Sequence, residues 1–279
     1  MKLTLGISPC PNDTFIFDAM VNKKIDTEGL SFELAINDVE KLNTLAFQHA
    51  LDITKLSYYA YAHVASHYVL LDSGSALGKH CGPLFITKPE KQKSEFEGLV
   101  VAIPGKYTTA NFLLSMAFPM VKNKVELLFS EIENAIVHDK VDAGVIIHEN
   151  RFTYQEKGLV KIMDLGEYWE TQTGLPIPLG GIAIKRSIPA EIAQKVNRIV
   201  RKSVEYALAH PAASRAFVRH HAQEMDEGIR NQHIQLYVNN YTVDLGDIGK
   251  QAVTTLFAWV RRNKLINDTH ENLFLQSAE

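Results

Sequence analysis

The sequence contains very little cysteine, with only Cys10 and Cys81 among its 279 residues. Two thiols are too few for a disulfide framework or a four-thiolate zinc site, so we expect a reducing compartment. The chain also has no uninterrupted apolar run of about 18 residues, the length that a membrane-spanning helix needs. Its first residues, MKLTLGIS, carry one charge and an apolar run shorter than that of a signal peptide. These absences predict a cytoplasmic protein without membrane insertion.

No excess of basic residues is present, since 29 Lys and Arg face 32 Asp and Glu and the formal net charge is −3. Proteins that bind nucleic acid usually concentrate basic residues on one surface, and no stretch of this chain does so. The apolar fraction of 46% and the charged fraction of 22% are those of ordinary globular proteins. We therefore expect no nucleic-acid partner and a folded chain with room for two domains of about 100–200 residues each.

Motifs for nucleotide binding, hydrolysis and metal binding are also missing. Gly105-Lys106 lacks the earlier glycine and the following hydroxyl residue of a phosphate-binding loop, and no Gly-x-Gly-x-x-Gly follows a predicted strand. There is no Gly-x-Ser-x-Gly elbow. His63 and His67 have the spacing that places two ligands on one helix face, but Val64 stands where a metalloprotease has glutamate. We predict no metal site.

Short apolar segments alternate with segments of helical periodicity through the first two thirds of the chain. The predicted strands are residues 3–7, 32–36, 51–54, 68–71, 99–103, 125–129, 144–147, 159–163 and 181–184. After Ser187 the pattern becomes almost wholly helical, with periodic runs at residues 190–209, 212–221, 231–241 and 247–263. This order predicts an α/β fold with parallel or mixed sheets and a helical C-terminal tail.

Two segments interrupt the sheet pattern and are interpreted as crossings between domains. Residues 88–97 are rich in charge, and residues 172–181 contain two prolines and paired glycines. We predict two lobes, the first made of residues 1–88 and 182–279 and the second of residues 89–181. Two connecting strands would form a hinge, and the helical tail would pack on the first lobe.

Three predicted loops share one construction, in which a strand ends, small or hydroxylated residues follow and a helix begins. They are residues 8–14, 54–58 and 104–110. In open α/β sheets, ligands bind beyond the carboxyl ends of strands, and helix N-termini there attract anions. A small carboxylated molecule in a cleft between the lobes is the expected ligand. The alternative is that the hydroxyls, Ser57 among them, only cap their own helices. We expect the thiol of Cys10 to be buried.

His148 stands at the predicted carboxyl end of a central strand, directly after the apolar residues 144–147. A sheet delivers reacting side chains at such strand tips. An imidazole with an ordinary pKa of about 6.5 is suited to general base catalysis at neutral pH. The alternative is a structural histidine that satisfies nearby backbone groups.

Several motifs occur in the order found in a known enzyme family. They are residues 8–15 (SPCPNDTF), 54–58 (TKLSY), 74–78 (GSALG), 104–110 (PGKYTTA), 146–149 (IIHE) and 174–181 (GLPIPLGG). Together they resemble the 1,4-dihydroxy-6-naphthoate synthases of the futalosine route to menaquinone. The resemblance runs from the N-terminus to about residue 181, and residues 203–207 (SVEYA) extend it into the helical tail.

The resemblance implies a two-lobed, type II periplasmic-binding-protein-like fold in a cytoplasmic enzyme that needs no cofactor. It implies a carbon–carbon lyase that converts cyclic dehypoxanthine futalosine, a spirocyclic carboxylated compound, into 1,4-dihydroxy-6-naphthoate with release of a three-carbon fragment. Such a reaction removes a proton next to a carbonyl, which requires a base and an oriented pocket.

The resemblance also implies roles for individual residues. The histidine at His148 would be the proton acceptor, and the positions Lys55, Leu56, Ser57, Thr109 and Ala110 would contact the substrate. We add Asn12 and Ser75 as substrate-binding candidates. Ser57, Thr109 and nearby backbone N–H groups are candidates to hold a carboxylate or a developing enolate.

Two other functions are compatible with the same fold, because a fold alone does not define an activity. One is a solute-binding protein for a small carboxylate, which would clamp its ligand without reaction. The other is the related chorismate dehydratase of the same pathway. A homodimer is also compatible with the sequence.

Overall fold

The computed structural model describes residues 1–92, 96–223, 226–266, 270 and 272–276. The strands are β1 (Lys2–Ile7), β2 (Ser31–Ile36), β3 (Ile53–Ser57), β4 (Tyr68–Leu70), β5 (Ala76–Gly78), β6 (Leu84–Thr87), β7 (Val101–Ile103), β8 (Lys124–Glu126), β9 (Ala143–Ile146), β10 (Val160–Asp164) and β11 (Ile177–Lys185). The helices are α1 (Pro11–Val21), α2 (Val39–Phe47), α3 (Tyr58–Ala62), α4 (Thr109–Ala117), α5 (Ile132–Val137), α6 (Asn150–Thr153), α7 (Leu165–Thr173), α8 (Ala190–Ala209), α9 (Arg215–His221), α10 (Glu227–Tyr237), α11 (Asn240–Val243) and α12 (Gly246–Arg262).

The chain forms two compact units. Unit 1 comprises Met1–Gly78 and Pro178–Glu279, and unit 2 comprises Lys79–Ile177. The expected first boundary at residue 88 differs from this division, because β6 pairs with β9 and β10 and so belongs to the sheet of unit 2. The expected second crossing, residues 172–181, contains the end of α7 and the beginning of β11 rather than an irregular linker.

The sheet of unit 1 is mixed, as expected from the sequence. Its strand order is β2-β1-β3-β11-β4, with β5 paired to β11. β1 is parallel to both β2 and β3, whereas β11 is antiparallel to β3 and β4. Leu5 lies opposite Ile53, and Gly6 lies opposite Thr54. Because β1 and β3 run in the same direction, the residues that follow them emerge at one edge of this sheet.

The helical tail packs on the unit that contains the N-terminus, which confirms that part of the interpretation. α8 has the predicted limits and packs against α1, and both contribute to one apolar core with β1 and β11. Ser203 is a completely buried polar residue of α8. Its hydroxyl donates to the carbonyl of Ile16 at 2.6 Å and accepts from the N–H of Met20 at 3.2 Å, both in α1. This hydroxyl therefore fixes the register between the two helices.

Unit 2 is built on a second mixed sheet with strand order β10-β6-β9-β7-β8. β7 is parallel to β8 and β9, and β6 and β10 complete the sheet with antiparallel pairing. A separate apolar core lies under this sheet and includes Leu84, Ala102, Ile132, Ile136 and Ile146. Since β7 and β9 share one direction, the segments that follow them also begin at a common edge.

α3 is a short helix that does not continue from His63 to His67. The helix ends at Ala62, and His63 is its C-cap residue. His67 therefore lies outside the helix and stacks on His49 with ring centroids 4.0 Å apart, so the two histidines do not share a helix face. Among the described residues, no helix combines the length and the apolar character needed to cross a bilayer.

We expect Ser203→Ala to lower the free energy of unfolding by about 1–3 kcal/mol, since it removes a buried hydrogen-bonding partner of α1. Chemical denaturation monitored by circular dichroism measures the change. Ser66→Ala is the matched control, because Ser66 is exposed and its loss should change stability by less than about 0.5 kcal/mol. Equal stability of the Ser203→Ala variant and the wild type would contradict the proposed role of the hydroxyl.

Candidate functional site

Asp13 lies at the centre of a polar cluster in unit 1 that is formed by residues following β1 and by Lys55 of β3. It is completely buried in the first turn of α1. Its Oδ2 accepts from the backbone N–H of Ser8 at 3.1 Å and from the Ser8 hydroxyl at 2.8 Å. Its Oδ1 accepts from Nδ2 of Asn12 at 3.0 Å and from Nζ of Lys55 at 2.9 Å. The loop after β1, the start of α1 and the end of β3 thus meet on one carboxylate.

Lys55 is nearly as buried as its partner, with 6% of the residue exposed. Burying a charge is costly unless it is paired, and the contact with Asp13 supplies that pairing. An ammonium group carries three hydrogens, and within the described part of the chain Asp13 is its only acceptor. Two donors of a fixed, positively charged group therefore remain for an anion.

Asn12 joins this cluster to the helical tail. Its Oδ1 lies 2.9 Å from Nε2 of His233, a completely buried residue of α10. The sequence singled out Asn12 as a candidate that binds substrate directly, but in the structure both ends of its amide contact protein groups. His233 was not predicted, because 221 residues separate it from Asn12 and no sequence pattern connects them.

Ser57 is the last residue of β3, and its hydroxyl does not cap α3. This corrects the expectation that Ser57 is a capping residue. Asn43 of α2 explains the difference: its Oδ1 accepts from the backbone N–H of Ser57 at 3.0 Å, and its Nδ2 donates to the Ser57 hydroxyl oxygen at 3.3 Å. The backbone N–H of Ser57 is therefore occupied. Its hydroxyl hydrogen has no acceptor among the residues that the structure describes and can still be donated.

Ser75 and Leu56 are held by the interior of unit 1. The Ser75 hydroxyl lies 2.7 Å from the Tyr58 hydroxyl and 3.4 Å from the carbonyl of Gly180. Leu56 is completely buried and pairs with Gly181 of β11. A Cβ at Gly181 would approach the Tyr58 hydroxyl to 2.8 Å, so only glycine fits there. Both candidates shape the end of β3, and the Leu56 side chain belongs to the core.

Thr109 and Ala110 form the first turn of α4 in unit 2, where helix geometry leaves N–H groups without intrahelical partners. Thr108 caps this helix, because its hydroxyl accepts from the N–H of Asn111 at 3.2 Å. The capping interpretation of hydroxyl residues is thus correct for Thr108. The positive end of α4 and its two buried first residues remain candidates for an anionic ligand.

Lys124 of β8 supports this helix from the side. Its Nζ donates to Oδ1 of Asn111 at 2.9 Å and to the hydroxyl of Ser115 at 2.6 Å. Burial lowers the pKa of Lys124 to about 8, and the nearby charge of Lys122 acts in the same direction. Asn111 in turn donates to the carbonyl of Lys106, so the lysine, the helix and the preceding loop form one network.

His148 follows β9 and adopts a left-handed backbone conformation with φ of 58°. This conformation is unfavourable for most residues with a side chain and commonly marks functional sites. The imidazole is half-buried and meets the ring of Phe129 edge-on, with centroids 4.8 Å apart. The expected strand over residues 125–129 ends at Glu126, and Phe129 instead begins a short 3-10 turn.

Glu133 holds the segment that follows His148. It is completely buried in α5, and its Oε2 accepts from Nδ2 of Asn150 at 2.7 Å and from Nζ of Lys157 at 2.6 Å. Asn150 begins α6, two residues after His148. The ion pair between Glu133 and Lys157 therefore joins α5, which precedes β9, to the segment that follows β9. The sequence did not indicate Glu133, since it resembles any other acidic residue of an amphipathic helix.

The predicted site residues are thus collected at two sheet edges, one in each unit. In unit 1, Asn12 and Lys55 meet on Asp13, and Ser57 follows Lys55 on the same strand. In unit 2, the loop before Thr109 follows β7 and His148 follows β9, the parallel neighbour of β7. Cys10 and Cys81, both among the described residues, are buried thiols that form no disulfide, and burial raises the pKa of the Cys81 thiol to about 12, so this thiol is a poor nucleophile.

Comparison with known proteins gives a consistent result. A family model described as "Menaquinone biosynthesis" matches residues 3–262. A 1,4-dihydroxy-6-naphthoate synthase of Thermus thermophilus is 44% identical over 273 residues, covering 98% of this chain and 99% of the relative. A protein of the same name from Streptomyces coelicolor is 41% identical over 259 residues, covering 91% of each chain.

Solved structures support the fold. A protein of Archaeoglobus fulgidus superposes with a TM-score of 0.89 at 33% identity, over 95% of this chain and 98% of that one. A Candida albicans protein described as having the generic periplasmic binding protein fold gives a TM-score of 0.69 at 10% identity, over 100% and 99% of the two chains. The expected periplasmic-binding-protein-like fold is confirmed.

Lys124 gives a pH-dependent prediction. Its pKa in the folded protein is about 8, below the value of about 10.4 for an unfolded chain. Between these values the unfolded chain binds more protons, so the free energy of unfolding should rise with pH. We expect wild-type stability to increase relative to Lys124→Met between about pH 7 and about pH 10, as urea titrations would measure. A difference that does not vary with pH would contradict this pKa.

Proposed function

Since the chain belongs to the menaquinone-biosynthesis family of the 1,4-dihydroxy-6-naphthoate synthases, we propose that it converts cyclic dehypoxanthine futalosine into 1,4-dihydroxy-6-naphthoate, with His148 as the general base. The chain is accordingly an enzyme of menaquinone biosynthesis rather than a receptor that only binds a solute. The curated relatives that match nearly the whole chain bear the synthase name, which also favours this reaction over that of chorismate dehydratase.

The observation that carries the binding step is the ammonium of Lys55. The substrate is a carboxylate, and a charged, buried donor with two unused hydrogens recognises a carboxylate more strongly than a neutral donor does. The Ser57 hydroxyl, two residues further along the strand, supplies a second donor. We assign the substrate carboxylate to these two side chains.

The chemical step begins with removal of a proton next to a carbonyl, which produces an enolate, and continues with cleavage of a C–C bond, in which the three-carbon fragment leaves with the bonding electrons and takes up the proton from the imidazole. A neutral imidazole accepts this proton, and we assign that role to His148. Its position after β9 and its contact with Phe129 support the assignment, because a base must be held in one orientation relative to the C–H bond.

The enolate oxygen needs donors that are already oriented when the charge develops. The first turn of α4 meets this requirement, since Thr108 caps the helix and Lys124 holds it from the side. We assign stabilisation of the developing negative charge to the backbone at Thr109 and Ala110. The proposed reaction requires no cofactor.

The setting of the enzyme is part of the proposal. The two cysteines, both described, form no disulfide, which is typical of proteins in a reducing compartment, and we place the reaction in the cytoplasm. The substrate is a small carboxylated molecule, and neither nucleic acid nor membrane insertion is needed. A homodimer is compatible with this reaction, since a single chain carries all the residues assigned to it.

We expect His148→Asn to lower kcat by about 10²–10⁴-fold, the usual contribution of a general base. Asparagine is chosen because it tolerates the left-handed backbone conformation of this position better than alanine. Formation of the naphthoate, followed by absorbance, measures kcat, and calorimetry measures substrate binding, which should remain within about threefold of the wild type.

His80→Asn is the matched control for this experiment. His80 is a histidine of the same unit, also has a left-handed backbone with φ of 57°, and is exposed. Its replacement should leave kcat unchanged. A His148→Asn enzyme with near wild-type turnover would exclude His148 as the base. Tight binding of the substrate by the wild type without product, or turnover of chorismate instead, would refute the proposed function.

A further inference from the structure

We propose that His233, acting through Asn12 and Asp13, is a positioning residue that fixes the ammonium of Lys55 for the substrate carboxylate. The proposal rests on the proposed function, because it assigns the purpose of Lys55 to that reaction. Its new content is that a residue of the helical tail, His233 in α10, controls the anion-binding group through two intervening side chains.

The geometry of the chain of contacts determines which atom donates at each step. Asp13 accepts hydrogen bonds only, so the Asn12 atom that faces it must be the donating Nδ2. The Oδ1 of Asn12 then faces His233, whose Nε2 must carry a hydrogen to make the 2.9 Å contact. His233 therefore holds the Asn12 amide in the one orientation that donates to Asp13.

Asp13 transmits this orientation to Lys55. Each of its carboxylate oxygens accepts two hydrogen bonds, and Oδ1 is shared between Asn12 and Lys55. A carboxylate offers about four acceptor positions, so all of them are used. Asp13 thus has no acceptor position left for a donor of the substrate, and its role is to place the lysine.

The orientation of the Asn12 amide matters because the residues around it are buried. Asn12 is 7% exposed, and both Asp13 and His233 are fully buried. Without the donor of His233, the amide of Asn12 can rotate, and Asp13 then loses one of its four donors. The carboxylate can follow, and the ammonium of Lys55 moves with it, because Asp13 is its only acceptor among the described residues.

A double-mutant cycle tests the proposal, with the steady-state kinetics of naphthoate formation measured for His233→Leu, Lys55→Met and the double variant. We expect His233→Leu to raise KM by about tenfold or more, the effect of disturbing a hydrogen bond to a charged group. The double variant should have the same KM as Lys55→Met, since His233 acts only through that lysine.

Two further variants separate positioning from a general loss of structure. His233→Gln retains an amide N–H in place of Nε2–H and should restore KM to within about threefold of the wild type. Ile234→Ala is the control on the same helix, because Ile234 packs against the core of unit 1 and its aliphatic side chain cannot donate a hydrogen bond to Asn12. It should lower the thermal midpoint while leaving KM unchanged.

The outcomes distinguish this inference from the proposed function. The positioning role would be overturned if the KM increases of His233→Leu and Lys55→Met multiply in the double variant. It would also be overturned if the KM of Ile234→Ala were as high as that of His233→Leu. If the wild type shows no turnover, the proposed function fails, and the cycle is then read from calorimetric binding of 1,4-dihydroxy-6-naphthoate. A wild type that neither turns over substrate nor binds this carboxylate would overturn both.

Discussion

A carboxylate that is fully removed from water requires hydrogen-bond donors in every direction, and Asp13 imposes this requirement on unit 1. Its donors come from the loop after β1, from the neighbouring residue of α1 and from the strand β3. Each donor is thereby held in place. Neutralising Asp13 alone would leave the buried ammonium of Lys55 without compensation, so the two charges exist as a unit.

The topology of the two sheets determines where the remaining candidate residues lie. In each sheet three neighbouring strands run parallel and an antiparallel strand pairs with them on one side, and the residues at or after the ends of two of the parallel strands, β1 and β3 or β7 and β9, are the ones with polar, strained or capping roles. Strand direction explains why residues distant in sequence, such as Thr109 and His148, are gathered at one edge. The supporting residues come from elsewhere, as Glu133 and Lys124 do in unit 2.

The fold was predictable in outline because hydrophobic periodicity reports strands and helices directly. α8 occupies the predicted residues 190–209. Predictions were wrong where tertiary contacts decide: β6 belongs to unit 2 because of its strand pairing, and Ser57 is bound by Asn43 instead of capping α3. Periodicity contains no information about such pairings.

The candidate site shows the same limit. Motif order and strand ends indicated Lys55, Thr109 and His148. Asp13 lay within a recognised motif, yet its importance follows only from the four donors around it. His233 and Lys124 could not be found, since each reaches its partner across a fold that the sequence pattern does not specify residue by residue.

Because unit 1 is discontinuous in sequence, the two units can fold at different times during synthesis on the ribosome. Unit 2 is one continuous stretch, Lys79–Ile177, whereas the sheet of unit 1 needs β11 between β3 and β4. During translation the N-terminal strands therefore emerge before β11, their central partner in the sheet, has been synthesised. Unit 2 can therefore fold earlier, and unit 1, which contains the cluster around Asp13, completes its folding last.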